Sequence, residues 1–139
     1  MAAKWESINV GDALPSYVHE KVTRTDLVKY AGASGDYNPL HSDEVFVTKV
    51  AGYPTVFAHG MLTMGATGKV LTDWFGADQL ASYSARFIGQ VWPGDTLTAV
   101  ATISALTQQD GHQLAEVDVS TRNQHGQEVL SGRATARIG

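Results

Sequence analysis

The sequence predicts an α+β fold, an antiparallel β-sheet wrapped around one long central helix, on three observations. A run from about Ala58 to Phe75 is apolar nearly all the way round, the pattern of a helix buried on most sides. Behind it, four segments alternate apolar and polar residues between short turns, as antiparallel strands do. Ahead of it lie two shorter helical patterns, with no repeat, linker or low-complexity tract. At 139 residues the chain fits one compact domain, expected over 1–139.

Each element has its own signal. Pro15 to Val22, with Tyr17, Val18 and Val22, reads as an early strand. Thr23 starts a short helix, with Asp26 three residues on as a weak capping box, and Gly32 and Gly35 break it. After an Asn-Pro turn, Ser42 is the expected N-cap of a second short helix carrying Val45, Phe46 and Val50, which Gly52 ends. In the central helix Gly60, Gly65 and Gly68 cost about 1 kcal/mol each relative to Ala. Such glycines suggest tight packing against a sheet, and Gly76 is a good stop. Strands follow over Ser82 to Trp92, Thr96 to Leu106, Leu114 to Thr121 and Val129 to Ile138. Pro93-Gly94-Asp95, Gln108 to Gly111 and Asn123 to Gln127 supply the turns. A sheet covering one side of a helix leaves an open edge, so a homodimer is expected.

Composition narrows the function. Hydrophobic residues at 43% and charged residues at 17% give a globular rather than a disordered balance. A net charge of -4 with scattered Lys and Arg argues against nucleic acid as a partner. Cysteine is absent, which removes disulfides and thiolate metal sites, and no histidine spacing suggests a metal. No signal region or membrane-spanning run is visible, so a cytoplasmic protein is expected, with no membrane partner.

The informative segment is Ser34-Gly35-Asp36-Tyr37-Asn38-Pro39-Leu40-His41. Pro39 forces Asn38 into an extended conformation and Gly35 permits an unusual backbone, so an irregular connector holds an acid and an imidazole five residues apart. A bare Asp…His pair is most often a helix-linking turn. The whole string is more specific, and it resembles the hydratase motif of the MaoC-like, (R)-specific enoyl-CoA hydratase family. Ala58-His59-Gly60-Met61-Leu62-Thr63-Met64-Gly65 is similar to the start of that family's central helix, and Trp92-Pro93-Gly94-Asp95-Thr96-Leu97 to its strand turn. The nearest likeness is to the beta subunits of mycobacterial-type (3R)-hydroxyacyl-ACP dehydratases.

The resemblance implies the hot dog fold and a hydro-lyase that interconverts trans-2-enoyl and (3R)-3-hydroxyacyl thioesters of coenzyme A or acyl carrier protein, without a cofactor. It makes Asp36 and His41 the catalytic pair. The chemistry suits them, because elimination of water removes a proton from C2 and delivers one to the C3 hydroxyl. Sequence leaves open which residue is acid and which is base. The resemblance also gives the Gly60 N–H at the helix start as the donor to the developing oxyanion, with close packing as its other reading. Asn38, grouped with Gly60 at the substrate-binding side of the site, is expected to hold the turn through its amide, with direct contact to substrate as its lesser reading. His59 is read as structural; His19, His112 and His125 as surface residues. Some hydratases of the family carry a serine where Gly68 stands here, beside Thr67, which puts that hydroxyl's hydrogen bond in doubt.

Two rival readings remain at this level. A hot dog acyl thioesterase generally has a carboxylate early in the central helix, and Gly60 to Val70 holds none. A non-catalytic partner of a heterodimer typically loses the Asp or the His, and this chain keeps both. A heterodimer in which a partner shapes the acyl tunnel stays compatible with the sequence.

Overall fold

A computed structural model describes residues 4–138. The chain runs through β1 (Tyr17–His19), α1 (Arg24–Ser34), α2 (Gly60–Phe75), β2 (Leu80–Phe87), β3 (Leu97–Gln109), β4 (His112–Arg122) and β5 (Glu128–Ile138). The strands form one antiparallel sheet in the order β1-β3-β4-β5-β2, so β1 and β2 are its edges. The expected α+β arrangement of a sheet around a central helix is present.

Alternation explains which face meets the helix. Leu97, Ala99, Ala101 and Ile103 of β3 are all buried, while the intervening Val100 is 42% exposed. Val70, Leu71 and Phe75 of α2 pack on that face with Ala115 and Val117 of β4. Burying a side chain such as Leu71 stabilises the fold by roughly 1.5–3 kcal/mol. A second cluster, built on Val22, Leu27, Val47, Val56, Val91 and Val129, lies under α1 and the connector, with Leu40 and Phe57 packed against it. That cluster is the floor of the site described below.

Several boundaries differ from the sequence expectation for identifiable reasons. The early strand shrinks to Tyr17–His19, since within Pro15 to Val22 these are the residues in ladder register with β3, and Lys21 takes positive φ. The strand expected over Ser82 to Trp92 is instead Leu80–Phe87; beyond it Ile88 and Gly89 both donate to the Val129 carbonyl and the chain leaves the ladder. The hairpin turn tightens to Asp110-Gly111, both with positive φ, so β3 runs on to Gln109.

Ser42 does not cap the second short helix. Asp43 does, accepting the Phe46 N–H at 3.0 Å, and the turn that follows over Phe46–Val50 is π-helical. That wider spacing buries Val47 and leaves Val45 and Val50 exposed. Thr23 and Asp26 do form the full reciprocal capping box of α1. α2 starts at Gly60 rather than Ala58, whose N–H is taken by the Val91 carbonyl. Along it Met61, Gly65, Lys69 and Asp73 form an exposed i, i+4 stripe, so the single chain covers less of the helix than its apolar pattern suggests. Of its glycines, Gly60 and Gly68 lie against Phe87 and Tyr83, whereas Gly65 faces open space and has no packing reason.

Candidate active site

α1 stops at Gly35, whose positive φ of 76° and N–H to the Ala31 carbonyl turn the chain out of the helix. The connector then folds on itself through side chains. The Asp36 N–H donates to Ser34 Oγ, and the Asp36 carboxylate accepts the Asn38 N–H at 3.2 Å. Asn38 Oδ1 accepts the Leu40 N–H at 3.0 Å, opening the 3-10 turn Pro39–His41. Asn38 thus closes the turn through its Oδ1.

His41 is fixed by its edge and its faces. Its Nδ1–H donates to the Phe57 carbonyl at 2.6 Å; a carbonyl only accepts, so the neutral ring keeps its lone pair on Nε2. The Phe57 ring meets it edge-on at 5.3 Å. Its pKa is lowered below the ordinary histidine value, first by burial, with the Phe57 carbonyl opposing, the neighbouring His59 lowering and Asp36 raising it. Burial thus favours the neutral imidazole.

The structure brings Asp36 and His41 together and adds a residue that sequence reasoning set apart. Donor atoms of Asp36, His41 and His59 all lie within 4.8 Å of one another. His59 is 1% exposed, stacks on His41 at 3.8 Å between centroids, and donates through Nε2–H to the Asp36 backbone carbonyl at 3.0 Å. A signal for it existed. Histidine is a poor N-cap, and here it occupies that position without making a capping bond. Two imidazoles and a carboxylate resemble a metal donor set, but ligation needs in-plane lone pairs that converge, and stacked rings direct theirs side by side.

Gly60 follows His59 as the first residue of α2, so its N–H is one of those with no carbonyl a turn earlier. A Cβ there would come within 2.9 Å of the Phe87 ring. Beneath the first turns of α2 lies a narrow apolar gap lined by Val22, Ala58, Leu62, Ala66, Val91 and Leu97, among others. Thr67 beside Gly68 is fully buried, with its hydroxyl donated to the Thr63 carbonyl and paired with Thr121. It turns into the core, so it does not replace the missing serine. His112 and His125 are exposed, but His19 is half-buried, with Nε2 3.3 Å from Asp26, a correction to its reading as a surface residue.

The profile of the MaoC-like domain matches residues 8–127. The 3-hydroxyacyl-thioester dehydratase Y of Mycobacterium tuberculosis is 43% identical over 81 residues, covering 56% of this chain and 28% of that protein. Enoyl-CoA hydratase ChsH3 of the same organism is 38% identical over 97 residues, covering 61% and 34%. The chain thus spans about a third or less of the length of these two curated relatives. Among solved structures, the R-hydratase PhaJ1 from Pseudomonas aeruginosa superimposes with a TM-score of 0.84 at 22% identity, over 98% of this chain and 86% of that one. The architecture is therefore the hot dog fold.

Proposed function

This chain belongs to the MaoC-like domain family, and from that premise we propose that it is an (R)-specific hydratase/dehydratase, a hydro-lyase acting on trans-2-enoyl and (3R)-3-hydroxyacyl thioesters of coenzyme A or acyl carrier protein. The observation that carries this reading is the convergence of Asp36 and His41 beside the amino end of α2.

In the hydration direction a water sits between the Asp36 carboxylate, which accepts one of its hydrogens, and His41 Nε2, whose lone pair takes the other. The oxygen adds to C3, and the electron pair of the double bond moves toward the thioester carbonyl. Gly60 N–H and the helix dipole stabilise the charge on that oxygen. The proton taken by His41 is then returned at C2, so the elements of water are added without a cofactor. Elimination runs the same path backward. Asn38 holds the geometry of the connector.

The same reading takes 1–139 as one domain, located in the cytoplasm, that pairs with a second copy through β2. In support, β2 is bonded on one side only, and Met61, Phe87 and Ile88 near it are exposed apolar residues. No helix among the described residues is long and apolar enough to cross a membrane.

The test follows loss of enoyl absorbance and release of free thiol, using coenzyme A and carrier-protein thioesters of several chain lengths. Absorbance falls without thiol release if the reading is right; thiol release alone marks a thioesterase. Asp36→Asn and His41→Ala should each lower kcat/KM by roughly 10²–10⁴-fold, with circular dichroism unchanged. A variant at wild-type turnover would remove that residue from the mechanism.

A further inference from the structure

We infer that His59 is a positioning residue for this reaction: its buried imidazole ties down the Asp36 main chain with one edge and braces the His41 ring with a face, holding carboxylate and imidazole in one mutual geometry. The word reaction rests on the hydratase/dehydratase reading; the positioning itself rests on contacts.

Asp36 needs such a tie. Its connector is exposed, and the other bonds at Asp36 reach only Ser34 and Asn38, two residues away on either side. The His59 Nε2–H to Asp36 carbonyl bond spans 23 residues of sequence and fastens the connector to the rigid start of α2. The two rings are also locked in complementary tautomers. Phe57 and Asp36 each offer a carbonyl, so the proton lies on Nδ1 of His41 and on Nε2 of His59.

The stack at 3.8 Å and 25° covers one face of His41, which with the Phe57 bond leaves Nε2 as its working edge. His59 also meets the Tyr30 ring of α1 at 4.8 Å, so it touches α1 as well as the connector and the 3-10 turn. Tyr30 from α1, Asp36 from the connector and His41 from the 3-10 turn are the titratable groups that face it.

Its Nδ1 is buried with no hydrogen-bond partner. An orphaned polar atom is a cost, and an apolar side chain would avoid it. The ring is kept for what its other edge and its faces do. Proximity to His59 adds, after burial, to the lowering of the His41 pKa, so the brace also favours the neutral base.

The experiment compares wild type with His59→Gln, which keeps a donor near Nε2, and His59→Phe, which keeps the stack and loses the donor. Readouts are kcat and KM on trans-2-butenoyl-CoA, the pH profile of kcat/KM, and ¹⁵N imidazole spectra of His41 and His59. His59→Phe should lose roughly 100-fold in kcat with KM nearly unchanged, since small misplacements of reacting groups cost about that much. His59→Gln should recover most of that loss, and the acid limb should rise toward the ordinary histidine value once the second imidazole is gone.

Wild-type spectra should show Nδ1–H on His41 and Nε2–H on His59; the opposite tautomer on either ring overturns the proposal without any variant. A melting temperature that falls while kcat per folded enzyme and the acid limb stay put makes His59 merely structural and overturns it too. If wild type hydrates no enoyl thioester, the functional reading fails, and the tautomers and their loss in His59→Phe still decide the positioning.

Discussion

His41 Nε2 can take a proton from water only while the ring is uncharged. Burial places the folded-state pKa of His41 below the ordinary 6.5, so kcat/KM should hold down to pH 6.5 and fall only below it. Stability carries the same sign: a depressed folded pKa means that acid favours the unfolded chain, and this contribution is lost as pH falls through it. Parallel pH titrations of rate and melting temperature check both; an acid limb above 6.5 contradicts them. Gly60 poses a finer question, because Phe87 alone could explain its size. Gly60→Ala keeps the N–H but adds a methyl beside it, so on the proposed role it should hinder close approach of the thioester oxygen and lower kcat about 10-fold, less than outright loss of a donor. The loss should persist in a Phe87→Ala background, where the packing conflict is gone; recovery there would assign Gly60 to packing. Asp36, Asn38 and His41 were legible because one local string carries them. His59 showed only as an odd residue at a helix start; its role was hidden, since its partners come from 18 and 23 residues upstream and only folding reveals the stack.

Among elements, β5 shows what periodicity cannot register. Gly132 sits mid-strand opposite Ala85, and a Cβ there would run into the Ser84 carbonyl and approach Ala85 Cα at 3.0 Å. Backbone cannot step aside as a side chain can, so Gly132→Ala should push β2 off the sheet at a cost of roughly 1–3 kcal/mol. Urea melts measure this, and faster amide exchange confined to β2 and β5 would locate it. In the sequence Gly132 looks like any weak strand residue. β3, β4 and β5 were legible because a half-buried strand writes its burial as strict alternation. The π-helical turn at Phe46–Val50 was not, because its wider spacing shifts burial onto Val47 against a 3.6-residue reading. The Asp43 cap was hidden behind Ser42, an equally good capping residue one position earlier.

For the whole molecule, the order β1-β3-β4-β5-β2 follows from hairpins between β3, β4 and β5, which the turn residues announced. The placing of β1 and β2 at opposite edges depends on contacts far apart in sequence, and no local pattern encodes it. With its edge open and the α2 stripe of Met61 and Gly65 exposed, the chain should behave as a dimer in light scattering at micromolar concentration. A monomer that keeps full activity would argue against pairing through β2.

Phe87 gives that edge a chemical consequence. It ends β2 and at the same time leans on Gly60, so whatever zips onto the strand also presses on the amino end of α2, where the proposed function puts the thioester oxygen. Specific activity should then fade on dilution ahead of any loss of helical signal. The catalyst's output would be metered by its own abundance.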